Sequence, residues 1–151
     1  MPNVLYTAEA TVTGGRAEGH GRTTDGAVDV QLRLPPELGG QGGGTNPEQL
    51  FAIGFASCFE SALMIVARRD RLDVGDVSID SRVKLLPTPD RGFALAVDLD
   101  VTLPQVKDPE QATRLVRAAH AVCPYSNATR GNIDVALAVN GRSVTESRRA
   151  A

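Results

Sequence analysis

The segment NPEQLFAIGFASCFESALMIVARR, residues 46–69, constrains this chain more than any other. Asn46 can accept an amide N–H at a helix start, Pro47 suits the first helical position, and Gln49 follows Asn46 by three residues as in a capping box. Over residues 50–66 apolar side chains fall on nearly every face, so the helix is expected at the centre of the fold, buried all round. Arg68, Arg69 and Asp70 return the chain to water. The longest uncharged stretch in this region, residues 49–59, is 11 residues. A membrane span requires about 20, so no membrane contact is expected.

On either side of this helix the pattern alternates with period two, the mark of half-buried strands. Val4, Tyr6, Ala8, Ala10 and Val12 form one face of a strand over residues 4–12, ended by Gly14 and Gly15. Val28, Val30, Leu32 and Leu34 form another, and Asp25-Gly26 before it is a hairpin-turn pair. Val77, Ile79, Ser81, Val83 and Leu85 face Phe93, Leu95, Val97, Leu99, Val101 and Leu103 across the loop PTPDRG, a second hairpin. Asp108-Pro109-Glu110-Gln111 opens a second helix through Leu115, Val116 and Ala119 to Cys123, where Pro124 is expected to stop it. Ile133, Val135, Leu137 and Val139 make a last strand, and residues 142–151 read as a polar, flexible tail. The expectation is one α+β domain over residues 1–151, antiparallel sheets packed around a long central helix.

With 16 Lys and Arg against 18 Asp and Glu, a net charge of −2 and 4% aromatics, the chain lacks the basic footprint and stacking platforms of a nucleic-acid binder. The start, MPNVLYTAEA, has no basic stretch followed by an apolar one, so a cytoplasmic location is expected. Cys58 and Cys123 should then be thiols, either inert or a working redox pair. The run GGQGGG lacks the spacing of a phosphate-binding loop and reads as a loop crossing closely over another surface. His120 and Cys123 form an HxxC pair, but two ligands do not make a zinc site, so neither metal nor cofactor is expected. His120 reads as a packed or half-exposed helix residue and His20 as a loop residue. Taken singly, Cys58 is as well explained as a small core residue, Arg16 as a surface strand residue, and Glu48 as a charge on the helix dipole.

TNPEQLFAIGFASCF at residues 45–59 and VCPYSNATRGNI at residues 122–133 resemble the two signature segments of the organic hydroperoxide resistance proteins. These are thiol peroxidases within the OsmC-like superfamily. LYTAEATVTGGR and LPPELGGQGGGTNPEQ match as well, in the same order, so the resemblance runs from about residue 4 to 139. It implies an OsmC-like fold, an intertwined homodimer and reduction of alkyl or fatty-acid hydroperoxides. By motif position Cys58 corresponds to the peroxide-attacking cysteine, Cys123 to the resolving cysteine, Arg16 to the activating arginine and Glu48 to its carboxylate partner. It also implies a lipoyl-type dithiol reductant, dihydrolipoamide or a lipoylated protein. Phe55 stands where tyrosine is frequent, Ile53 where alanine is, and Thr23-Thr24 replace a usual pair of serines; none touches those four positions. Pro124, Tyr125 and Ser126 are expected to shape the loop that carries Cys123.

The chemistry suits these residue types. Splitting an O–O bond by sulfur needs a thiolate and stabilisation of the departing alkoxide. A guanidinium can hold developing negative charge while a carboxylate grips its other edge, so Glu48 is expected on Arg16 and not on the sulfur. Phe51, Phe55 and Phe59 are candidate walls for an alkyl substrate, or plain core. Glu48 and Cys58 stand ten residues apart, about 15 Å along a continuous helix. The spacing suggests a symmetric homodimer whose helices cross near Ile53 and Gly54, where Ala52, Gly54 and Ala56 are small. Glu48, and with it Arg16, would then serve the Cys58 of the other chain. The alternatives are a general OsmC-like peroxidase, or a thiol redox sensor or binding module that switches without turnover.

Overall fold

The computed structural model describes residues 2–144. The chain divides into two compact units, Met1–Leu50 and Phe51–Ala151. The division falls inside a helix rather than at a linker, which is why neither composition nor a Pro/Gly-rich stretch marks it.

In the first unit, β1 (Ala10–Thr13) leads into a one-turn helix α1 (Gly15–Glu18), then β2 (Gly19–Thr23) and β3 (Asp29–Arg33). The three strands form an antiparallel sheet in the order β1-β2-β3. The first strand is shorter than the alternation over residues 4–12 suggested, since its pairing with β2 begins at Ala10↔Thr23. Val4, Leu5 and Tyr6 are fully or largely exposed. β2 gives no sequence signal, because glycines at 19 and 21 take the places where an apolar alternation would show. The Asp25-Gly26 turn joins β2 to β3 as expected. Asp25 Oδ1 accepts from the Thr23 hydroxyl and the Ala27 amide, and Gly26 has a φ of 72°. The glycine loop returns along β3, with the Thr45 amide donating to Gln31 O and the Arg33 amide donating to Thr45 O. A Cβ on Gly44 would lie 2.6 Å from Gln31 O, so this is the close crossing anticipated for GGQGGG.

The helix α2 (Pro47–Arg69) is continuous over 23 residues. It starts as expected, Asn46 Oδ1 accepting from the Gln49 amide at 2.9 Å. It is not buried all round. Phe55, Phe59, Ala62, Leu63, Val66 and Ala67 are buried, whereas Leu50, Ile53, Ser57, Ser61 and Ile65 form an exposed stripe. By length and composition alone α2 could cross a membrane, which a count of uncharged residues stopping at Glu60 did not indicate. A core helix has the same properties, and the buried face of α2 lies in the hydrophobic core of the second unit.

That unit continues with β4 (Ser78–Pro87), β5 (Phe93–Thr102), α3 (Pro109–Val122), α4 (Pro124–Thr129), β6 (Asp134–Val139) and β7 (Arg142–Ser143). β4 and β5 are the expected hairpin, in register from Ser78↔Thr102 to Pro87↔Phe93. The expectation of wholly antiparallel sheets fails at the next pair, since β5 and β6 run parallel from Ala96↔Asp134 to Val101↔Val139. Parallel neighbours need a long crossover, and α3 with α4 supplies it. Asp108 caps α3 by accepting from the Glu110 amide at 3.1 Å. Pro124 does not end helical structure but opens α4 at its first position, where a missing N–H leaves nothing unpaired. The core gathers α2, the inward residues Val97, Leu99 and Val101 of β5, Leu137 and Val139 of β6, and Ala112, Leu115, Val116 and Ala119 of α3. Each large side chain fully buried there contributes about 1.5–3 kcal/mol. Arg142 and Ser143, expected in the polar tail, pair with β6 instead, and Val144 is buried; residues 145–151 of that tail lie outside the described residues.

Candidate active site

Two pairs of side chains carry chemistry, one in each unit. In the first, β1 ends at a tight turn in which Gly14 and Gly15 have φ of 74° and 64°, a conformation that favours glycine. The turn delivers Arg16 on α1, not on a strand. Glu48 lies in the first turn of α2, where the helix dipole favours a carboxylate. The guanidinium grips it with two bonds, Nη2 to Oε1 at 2.8 Å and Nη1 to Oε2 at 3.3 Å. The Glu48 side chain is 16% exposed and that of Arg16 39%. The carboxylate thus braces the guanidinium while much of the latter stays open.

In the second unit, Cys58 sits in the middle of α2 and Cys123 at the junction of α3 and α4. Both are free thiols; Cys123 is buried and Cys58 partly so. The Cys123 thiol points at Cys58, with 3.7 Å between the sulfurs. A disulfide needs about 2.04 Å, so the pair must close by roughly 1.7 Å. Burial pushes the Cys58 thiol above its ordinary range; the Tyr125 backbone N–H, donating to its sulfur, works the other way, and the neighbouring Cys123 adds to the rise. Held this way, Cys58 needs a positive charge before it can be a ready thiolate.

Of the three candidate wall residues, Phe55 and Phe59 are fully buried in the core and Phe51 only partly buried. Phe51 meets Phe55 edge-on, ring centroids 5.9 Å apart. Tyr125, expected only to shape a loop, joins them at 5.9 Å from Phe51 and 5.6 Å from Phe55. Its ring also covers Gly54, where a Cβ would lie 2.9 Å from the Tyr125 hydroxyl. The smallness of Gly54 therefore already serves a contact within its own chain. The sequence signal for Tyr125 was its place two residues after Cys123, at the start of α4. His120 Nδ1 lies 2.9 Å from the Ser126 hydroxyl. His20, expected in a loop, lies in β2 with Nε2 2.6 Å from Asp29 Oδ1 on β3.

The family model for OsmC-like protein matches residues 40–138, a span that holds Glu48, Cys58 and Cys123. The chain is 56% identical to the organic hydroperoxide resistance protein of Xanthomonas axonopodis pv. citri over 136 residues, 89% of this chain and 94% of that one. The chain belongs to the OsmC-like family, among its organic hydroperoxide resistance proteins. The crystal structure of an organic hydroperoxide resistance protein from Legionella pneumophila matches with a TM-score of 0.86 at 51% identity, covering 91% of this chain and 98% of that one. That of the organic hydroperoxide resistance protein OhrB of Bacillus subtilis matches with a TM-score of 0.82 at 45% identity, covering 90% and 99%. The OsmC-like fold of this chain is thus a mixed α+β one with a long helix, an antiparallel sheet and a mixed sheet.

Proposed function

We propose that this protein is a cysteine-based peroxidase that reduces organic hydroperoxides to alcohols in defence against oxidative stress. The observation that carries the reading is the pair of free thiols 3.7 Å apart within a family of organic hydroperoxide resistance proteins. The Cys58 thiolate attacks the outer peroxide oxygen, the O–O bond breaks, and the alkoxide leaves as alcohol with one proton, giving the Cys58 sulfenic acid. The Cys123 sulfur then attacks Cys58; the S–S bond forms, the S–O bond breaks, and water leaves. An external dithiol, lipoyl-type by family resemblance, reduces the disulfide and restores both thiols.

Arg16 is the cation of this scheme. Full ionisation of a thiol of ordinary pKa gains only about thirtyfold in thiolate at pH 7. Part of that gain is lost because nucleophilicity falls with pKa, with a slope of about 0.4–0.5. The larger contribution is charge stabilisation on the peroxide oxygens, where one oriented donor is worth about 10²–10³ in rate. The bidentate grip of Glu48 supports this role, because it orients the guanidinium before substrate arrives. Phe51 and Tyr125 offer the apolar surface for the alkyl chain.

The working form in this proposal is a homodimer in the cytoplasm. Glu48 and Cys58 are ten residues apart on one unbroken helix, about 15 Å along its axis. The exposed stripe of α2 supports a helix crossing, with Ile53 at 69% exposure, and so do the exposed Val4, Leu5 and Tyr6. Such a crossing brings Glu48 and Arg16 of one chain to Cys58 of the other. The test is steady-state consumption of an alkyl hydroperoxide with excess dihydrolipoamide, against a monothiol as donor. Sustained consumption that Cys58→Ser abolishes is expected. Loss of about one peroxide per chain, with no further turnover, would make the protein a redox switch instead.

A further inference from the structure

Cys123 closes α3 and opens α4. Its backbone is extended (φ −64°, ψ 124°), its amide donates to Ala119 O, and its carbonyl accepts from the Asn127 amide, both at 2.9 Å. One residue is therefore the hinge between two helices, and the direction of its side chain depends on how they meet. His120 lies three residues before the hinge and Ser126 three residues after it. Their hydrogen bond, Nδ1 to Oγ at 2.9 Å, arches over Cys123. Ser126 is completely buried, so without His120 its hydroxyl would lose this side-chain partner in a place water does not reach. Arg130 fastens the same junction from outside, Nη2 donating to His120 O at 2.7 Å and its amide to Ser126 O at 3.0 Å. Burial, and then the charge of Arg130, hold the His120 ring below its ordinary pKa, so it is neutral at pH 7.

We propose that His120 and Ser126 are positioning residues for the resolving step: their hydrogen bond across the α3–α4 hinge holds the Cys123 sulfur in front of Cys58. The inference rests on the reading of Cys123 as the resolving cysteine. In that step Cys123 attacks the Cys58 sulfenic acid, the new S–S bond replaces the S–O bond, and the thiol proton leaves with the hydroxyl as water. A hinge free to splay would leave the sulfenic acid standing, open to a second peroxide and conversion to sulfinic acid. Attack on the first peroxide involves Cys58 on α2 and does not depend on this bond.

The test separates the two steps in reduced protein mixed with tert-butyl hydroperoxide, quenched at intervals with an alkylating agent and read by mass spectrometry. Ser126→Ala and His120→Phe break the bond, the latter keeping most of the ring volume; His120→Asn keeps a polar group in reach of the Ser126 hydroxyl. Oxidation of Cys58 should proceed within about threefold of wild type in all three. Formation of the Cys58–Cys123 disulfide should slow by about tenfold in the two bond-breaking variants, the worth of one hydrogen bond of this kind. It should recover in His120→Asn, and the Ser126→Ala/His120→Phe double variant should be no slower than either single one. With excess peroxide, sulfinic acid at Cys58 should rise in step with the slowing. Disulfide formation within twofold of wild type in both bond-breaking variants, or additive losses in the double variant, would overturn the proposal while leaving the peroxidase reading intact. A wild-type protein that forms no Cys58–Cys123 disulfide would overturn both.

Discussion

Replacing Arg16 by lysine keeps the charge and removes the fork. The guanidinium spends two nitrogens on Glu48, at 2.8 Å and 3.3 Å, and still presents N–H edges elsewhere. A lysine has one nitrogen, so when it answers Oε1 it cannot also hold Oε2 and face a peroxide from a fixed position. If the oriented donor is worth about 10²–10³ in rate, Arg16→Lys should lose most of that, about 2.7–4 kcal/mol of barrier. Stability should change far less. With side chains 39% and 16% exposed, the pair is screened by water. Its loss should cost at most about 1 kcal/mol, or roughly 2–4 °C in Tm for a chain of this size. The assay is stopped-flow oxidation of reduced protein by tert-butyl hydroperoxide under pseudo-first-order conditions, with a thermal melt beside it. A second-order rate constant within threefold of wild type would refute the role given to the guanidinium. A rate loss matched by an equally large loss of stability would assign Arg16 to folding.

Cys123→Ser should leave the first oxidation of Cys58 intact but let the sulfenic acid accumulate and over-oxidise; an equally fast second cycle, measured by peroxide consumption, would exclude a resolving role. Gly54→Ala sets two effects against each other. Alanine gains about 1 kcal/mol over glycine in a helix, while its Cβ, 2.9 Å from the Tyr125 hydroxyl, must displace a ring wedged against Phe51 and Phe55. Overpacking of this kind costs about 1–3 kcal/mol, so urea denaturation should show no net gain. A full 1 kcal/mol increase would show that the ring is not held. His120 is depressed below 6.5, so the unfolded chain binds its proton first as pH falls. Its contribution to stability is whole above about pH 6.5 and declines as pH drops from there through the lower native value. Denaturation midpoints from pH 7.5 to 5 should fall more steeply in wild type than in His120→Asn; parallel curves would contradict the assignment.

The elements legible in the sequence were those whose cause is local. Asn46 and Asp108 cap helices through their own side chains, Asp25-Gly26 makes its own turn, and the two runs flanking PTPDRG alternate cleanly enough to fix their pairing. What escaped depends on the rest of the chain. β2, with Gly19 and Gly21, is a strand because β1 and β3 flank it, and the parallel β5–β6 pair exists because α3 and α4 carry the chain back. Pro124 breaks a helix or starts one according to the residue before it, and Cys123 has the extended backbone that makes it a start. At the site, four residues were named from motif position. The structure joins Arg16 to Glu48 and Cys58 to Cys123, but the aromatic contact of Tyr125 and the His120–Ser126 bond arise only when α4 folds against α3 and α2. Apolar residues on every face of α2 were taken as burial within one chain, whereas the chain buries one face and leaves Ile53 and Ile65 outside.

The most direct measurement is peptide mapping after fully reduced protein receives a single equivalent of an alkyl hydroperoxide. One intramolecular bridge between Cys58 and Cys123, with an equivalent of alcohol released, is the expected result. Two thiols that remain alkylatable, or bridges formed only between chains, would contradict it.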